Sequence, residues 1–220
     1  MANNFKNAVK RNISADSTLP TEIYSAPNSK KSIAIEIDVS NKSSAGVTVT
    51  VQLEDESQNE AGGNAHTASA IATNTTGLIT TTSAAVHNLI VNDRIIFTNG
   101  TDPSFTDASL PPSGDTALSE TRMYYIQSIP STSTFTIAES KSATNPLTFD
   151  SNGNTVIWTK IHLADVVKDA PVPVGGALKV IAGQKLVLES LTANVNDKIY
   201  AYASGASACD VIASVLEDVS

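Results

Sequence analysis

The sequence predicts an all-β protein: a β-sandwich base domain, jelly-roll or immunoglobulin-like, split by an inserted second small β-sandwich or barrel. Two stretches of alternating apolar residues far apart in the chain predict it. The first is Ile33, Ile35, Ile37 and Val39, followed by Val47, Val49, Val51 and Leu53. The second runs from Ile157, Ile161 and Leu163 to Leu186, Leu188, Tyr200, Tyr202, Val211, Ala213 and Val215. Alternation with a period of two marks a strand with one buried face. Between the two lies a stretch rich in Ser, Thr and Asn, of different character. The domain boundaries read as an N-terminal arm over 1–19, a base over 20–57 plus 158–220, and an insertion over 58–157.

Residues 1–13 hold Lys6, Lys10 and Arg11 and no acid. Phe5, Val9 and Ile13 recur every four residues, a helix-like stripe. One reading is a frayed, solvated terminus. A second is an arm docking on a neighbouring subunit or partner, with Phe5 as anchor and Phe5, Lys6, Val9, Lys10 and Arg11 as interface residues, and a minor third is nucleic-acid binding through the three cations. No other convincing amphipathic helix exists.

Residues 20–26 read as a short strand, closed by the turn Pro27-Asn28-Ser29. In 31–39, Ile33, Ile35 and Ile37 face one way and Glu36 and Asp38 the other. In 47–53, Thr48, Thr50 and Gln52 face outward, so the two segments form a hairpin or meander. The pattern stops at Glu54-Asp55-Glu56, and 59–64, with Gly62-Gly63, reads as linker.

The insertion offers short strands at 77–82, 94–98, 123–129, 134–138 and 155–158, parted by polar turns such as Asn99-Gly100 and the Pro111-Pro112-Ser113-Gly114 cluster. Its core draws on Leu89, Val91, Ile95, Phe97, Tyr125, Ile129, Phe135, Ile137 and Phe149. Residues 99–121 read as a long loop, mobile or ordered only against a neighbour. Trp158 is read either as a plug between domains or as a core residue. Strands follow at 157–168, 177–181, 185–190, 197–204 and 209–217. Pro171-Val172-Pro173 reads as a rigid turn that cannot lie in a central strand.

The chain has 220 residues, a net charge of −8 and only 16% charged residues. It is long enough to bury a core without metals or disulfides. The acidic balance argues against a general nucleic-acid binder, which needs a basic face to displace counterions. No apolar run approaches the roughly 20 residues of a membrane helix, and no signal peptide is expected. The single cysteine, Cys209, excludes an intrachain disulfide and reads as a small buried strand residue.

Motifs that carry chemistry are missing. His66, His87 and His162 lack any metal-ligand spacing; His66 reads as linker and His87 as a polar turn residue. Glu54-Asp55-Glu56 lacks the spacing of a calcium loop. There is no nucleophile elbow, phosphate-binding loop or dinucleotide fingerprint. No catalytic residue, cofactor or metal is assigned.

The chain ends resemble small β-sandwich virion proteins of tailed bacteriophages, especially those of marine bacteria and cyanobacteria. The resemblance rests on Met1-Ala2-Asn3-Asn4-Phe5-Lys6-Asn7-Ala8, Glu22-Ile23-Tyr24-Ser25-Ala26-Pro27, Ala170-Pro171-Val172-Pro173-Val174-Gly175-Gly176, Gln184-Lys185-Leu186-Val187-Leu188-Glu189 and Asp210-Val211-Ile212-Ala213-Ser214-Val215-Leu216-Glu217. The insertion resembles a small β module of phage tail proteins, through Ala85-Val86-His87-Asn88-Leu89, Val91-Asn92-Asp93-Arg94-Ile95-Ile96-Phe97, Tyr124-Tyr125-Ile126 and Thr134-Phe135-Thr136-Ile137. Asn88 and Asn92 stand where that module usually has glycine, and Asn tolerates left-handed backbone.

The resemblance implies a non-enzymatic structural part of a phage virion, assembled in the host cytoplasm. It implies a symmetric homo-oligomer on the capsid or the head–tail neck, with decoration, cement or adaptor roles. Expected partners are other copies of the chain and other virion proteins, with neither nucleic acid nor membrane. The alternative is a tail- or fibre-associated module binding host-surface glycan, which would need exposed aromatic rings such as Tyr124 or Tyr125.

Overall fold

Every regular element among the described residues is a strand, apart from a single 3-10 turn at Glu56–Gln58. The computed structural model describes residues 4–58, 66–71, 77–81, 87–98, 117–149, 157–181, 183–192 and 195–219. The linker 59–64, the turns at Asn99-Gly100 and 111–114, and most of the 99–121 loop lie outside them. The chain divides into two units, 1–57 with 162–220, and 58–161.

The first unit holds β1 (Asn4–Lys10), β2 (Thr21–Ser25), β3 (Lys31–Asn41) and β4 (Val47–Glu54) from the early part of the chain. The second holds β5 (His66–Ile71), β6 (Ile79–Thr81), β7 (Arg94–Thr98), β8 (Met123–Ser131), β9 (Thr134–Ala138) and β10 (Ile157–Ile161). The first unit then resumes with β11 (Leu163–Val172), β12 (Ala177–Lys179), β13 (Leu186–Thr192), β14 (Val195–Asn196), β15 (Lys198–Ala203) and β16 (Cys209–Glu217).

In the first unit one sheet has the order β1-β16-β3-β13-β14, with β12 also on β3, and the other β11-β4-β15-β2. One core lies between them. Ile37 and Val39 of β3 and Val211, Ala213 and Val215 of β16 meet Val49 and Val51 of β4 and Ile199, Ala201 and Ala203 of β15. Each fully buried Val or Ile contributes about 1.5–3 kcal/mol of transfer free energy. Cys209 is fully buried in the same cluster.

Three local features depart from the sequence reading. First, the alternation in β3 breaks. Ser214 pairs with Glu36 but Val215 pairs with Ala34, so Ile35 is the extra residue of a bulge. A one-residue insertion moves every side chain before it to the other face. Ala34 is therefore buried while Ile33 lies half-exposed on the outer face, not beside Ile37 in the core.

Second, β15 points the other way from the expected register: Ile199, Ala201 and Ala203 are buried, and Tyr200 and Tyr202 lie on the outer face. Third, the outward residues Thr50 and Gln52 of β4 are buried. Irregular β11 brings carboxylates over them: Gln52 Nε2 donates to Asp165 Oδ1 at 2.7 Å, and the Asp169 N–H to Thr50 Oγ1 at 3.1 Å. Pro171 and Val172 belong to β11 instead of forming a turn. β11 is an edge strand, where the missing proline N–H leaves no ladder bond unmade.

The second unit closes into a six-stranded barrel, β10-β5-β6-β9-β8-β7. Its interior holds Ile79, Leu89, Ile95, Phe97, Leu118, Tyr124, Ile126, Phe135, Ile137, Phe149 and Trp158, with Ile129 packed partly against it. The Trp158 and Phe135 rings meet edge-on at 5.3 Å, so Trp158 is a barrel core residue. The segment expected as one strand over 157–168 breaks at His162 into β10 and β11. His66 opens β5 instead of lying in linker. Val91, expected in the core, is exposed in a turn with Ile90.

Candidate functional site

The N-terminal segment is a strand, not a helix. β1 runs antiparallel to β16 with Phe5 opposite Leu216, Asn7 opposite Ser214 and Val9 opposite Ile212. The apolar spacing of four is compatible with both geometries, because residues four apart share a face of a strand as well as of a helix. The consequence differs. In a helix Phe5 and Val9 would touch, whereas along a strand they stand about 13 Å apart.

Phe5, Asn7 and Val9 point to the outer face of the sheet, and Lys6, Ala8 and Lys10 to the inner side. Arg11 follows the strand end. Six of the seven residues of β1 are exposed and only Ala8 is half-buried. Phe5 is 69% exposed and Val9 51%.

Two polar anchors hold the strand. At its start, Lys6 Nζ lies 3.1 Å from Glu217 Oε1, which also accepts the Tyr24 hydroxyl at 3.0 Å. The Tyr24 oxygen lies 2.8 Å from Ser32 Oγ, which is fully buried. Burial pushes the Tyr24 phenol well above the usual tyrosine range, with the Glu217 carboxylate adding to the shift, so it stays a neutral donor.

At the other end Asn12 adopts φ 59°, in the left-handed region. Its N–H donates to Asp210 Oδ1 at 2.9 Å, and Lys42 Nζ reaches the same oxygen at 2.6 Å. Those two donors, Lys42 first, hold the Asp210 carboxyl below the usual aspartate range. Ile13 is then fully buried, its N–H on the Cys209 carbonyl at 3.0 Å.

The outer face of this sheet carries an apolar row. Phe5 lies opposite Leu216, Leu216 opposite Ile33, and Ile33 opposite Val187. At the usual strand spacing the row spans about 15 Å. Phe5 and Val187 are exposed, and Leu216 and Ile33 half-buried. Val9 and the exposed Ile212 form a second pair further along.

Sequence reasoning found Phe5 and Val9 but missed Leu216, Ile33, Val187 and Glu217. The signal was legible in β16. Val211, Ala213 and Val215 fill the inner face, yet Ile212 and Leu216 make the outer face apolar too. A strand apolar on both sides marks an outer face with something to bury.

An acidic group closes one end of the same unit. Asp197 accepts the Glu56 N–H at Oδ1 (3.1 Å) and the Glu189 N–H at Oδ2 (2.8 Å). Lys198 Nζ lies 3.5 Å from Glu54 Oε2 and 3.6 Å from Glu56 Oε2. Burial raises the pKa of Glu56, against the Asn196 N–H and Lys198. Burial also raises that of Asp197, against its two backbone donors and with Asp55 and Glu189 adding. These bonds tie β13, β15 and the 3-10 turn together, a structural use of the acids.

In the barrel the motif residues are structural as well. His87, read as a polar turn residue, is buried: its Nδ1 accepts the Leu89 N–H at 3.1 Å and its Nε2 faces the Ser131 carbonyl at 3.1 Å. Asn88 and Asn92 adopt φ 48° and 75°, the left-handed backbone that glycine would supply. Asp93 accepts the Ile90 N–H at 2.8 Å and pairs with Lys160 at 2.8 Å. Arg94 Nη2 donates to the Tyr125 hydroxyl at 2.7 Å. Tyr124 and Tyr125 are both buried, the first in the barrel interior.

Among the described residues no group of three or more His, Cys, Asp and Glu side chains is placed to hold a metal ion. No family model, curated protein or solved structure matches the chain.

Proposed function

We propose that this chain is a non-enzymatic structural component of a bacteriophage particle. It assembles as a symmetric homo-oligomer on the capsid or at the head–tail neck, as a decoration, cement or adaptor protein. The observation that carries the assembly part is the β1 edge with the outer row Phe5–Leu216–Ile33–Val187. An exposed strand edge beside an apolar row invites pairing with another chain. The phage part rests on the sequence resemblance at the chain ends and in the insertion. The role needs no cofactor, nucleic acid or membrane, and its partners are further copies and other virion proteins.

The glycan-binding alternative draws less support, because stacking on sugars needs an open ring face and Tyr124 and Tyr125 are both buried. Mass spectrometry of purified particles tests the proposal. Recovery of the chain at a stoichiometry matching capsid or neck symmetry is expected; its absence from the particles overturns the reading.

A further inference from the structure

We propose that β1 is an exchangeable strand: in the assembled protein it leaves its own β16 and completes the same sheet of a second copy of this chain. The inference deepens the homo-oligomer reading and rests on it. β1 is poised to move. It contributes only Ala8, half-buried, to the core, while the residue after its hinge, Ile13, is fully buried. The hinge is Asn12, whose left-handed φ of 59° interrupts the regular ladder between β1 and the anchored Ile13, whose N–H bonds the Cys209 carbonyl. A non-glycine residue in that region carries a local cost that an extended hinge relieves. Residues 4–12 extended span roughly 30 Å, enough to reach a neighbour.

The occupant of the vacated edge is fixed by what β16 presents. Glu217, held by Tyr24, offers its carboxylate to a cation on the paired strand; Ser214 Oγ donates to the Asn7 side-chain oxygen at 3.2 Å; Leu216 and Ile212 face apolar partners. Lys6, Asn7, Phe5 and Val9 supply all of these, and a second copy carries the same four. Residues 1–15 hold three cations and no acid, while the other 205 residues hold 11 cations and 22 acids (14 − 3 = 11). A basic arm is thus drawn onto an acidic neighbour. Because the ladder is identical in closed and exchanged forms, exchange has little cost in contacts.

Asn7 and Ser214 stand directly opposite each other, within the Cα separation a disulfide spans. In a Cys209→Ala background, Asn7→Cys and Ser214→Cys are made as two separate full-length chains, refolded together and mildly oxidised. Exchange predicts a reducible covalent heterodimer. The double variant Asn7→Cys/Ser214→Cys in one chain is the second measurement, and exchange predicts intermolecular bonds there too. An intramolecular disulfide at the mass of one chain, with no heterodimer in the mixture, overturns exchange. A non-covalent oligomer that gives no heterodimer disulfide also overturns it, while leaving the structural-subunit reading intact.

Discussion

Lys6 and Tyr24 meet on one carboxylate oxygen, Oε1 of Glu217, at 3.1 and 3.0 Å. The two contacts differ in setting. The Lys6 side chain is largely in water, so its ion pair is worth under about 1 kcal/mol. The Tyr24 hydroxyl is buried against Ser32, and removing it leaves a buried hydroxyl short of a partner, costing about 1–3 kcal/mol. Tyr24→Phe is expected to lower unfolding stability measurably, and Lys6→Ala to leave it nearly unchanged. Lys6→Ala should instead speed amide exchange across residues 4–10, read by hydrogen-exchange mass spectrometry.

Gly77, in the barrel unit, has no room for a side chain. Its φ is +57°, and a Cβ there would lie 1.9 Å from the Leu147 carbonyl oxygen, a backbone atom. Gly77→Ala must therefore displace the chain as well as strain it. A loss of about 3 kcal/mol or more is expected. Trp158 is the only tryptophan and lies in the barrel core, so its fluorescence in a denaturant titration reads that loss directly.

Asn92, at φ 75°, separates two effects of a left-handed turn. Asn92→Gly is expected to be neutral within about 0.5 kcal/mol, and Asn92→Ala to cost about 1 kcal/mol. Equal stabilities for the two variants by the same fluorescence measurement would show that backbone conformation is not what the position selects.

Glu56 gives a pH dependence of definite sign. Burial sets its folded pKa above the ordinary glutamate value, so the folded state holds the proton more tightly than the unfolded state does. Its contribution is fully present below the ordinary value and is lost as pH rises through the raised one. Asp197 contributes in the same direction, and Asp210, lowered by Lys42, in the opposite one. Glu56→Gln removes one titration and keeps an acceptor for the Asn196 N–H. The stability of wild type minus that of Glu56→Gln is therefore expected to fall as pH rises across that window, measured by denaturant unfolding at each pH.

The all-β class was legible because period-two alternation survives wherever one face is buried. β16 runs over the same residues, 209–217, that the alternation marks. The left-handed turns at Asn88 and Asn92 came from the resemblance, which places glycine at both positions, and Asn accepts the same backbone. What was hidden depends on partners across the sheet. The bulge at Ile35 is set by the pairing of Ser214 and Val215, and nothing local to β3 reveals it. Uninterrupted alternation therefore puts Ile33 in the core beside Ile37, and the outer row goes unseen. In β15 the bulk of Tyr200 and Tyr202 outweighed the small Ala201 and Ala203, although a tightly packed sandwich core favours the small residues. The N-terminal arm misled because spacing by four suits helix and strand alike.

The proposed symmetric assembly is built through the N-terminal strand. Native mass spectrometry of the full-length protein at micromolar concentration tests it most directly, with a chain lacking residues 1–11 run beside it. The full chain is expected to form one discrete closed oligomer that collapses to single chains on truncation. Single chains throughout, or an oligomer that survives the truncation unchanged, would contradict it.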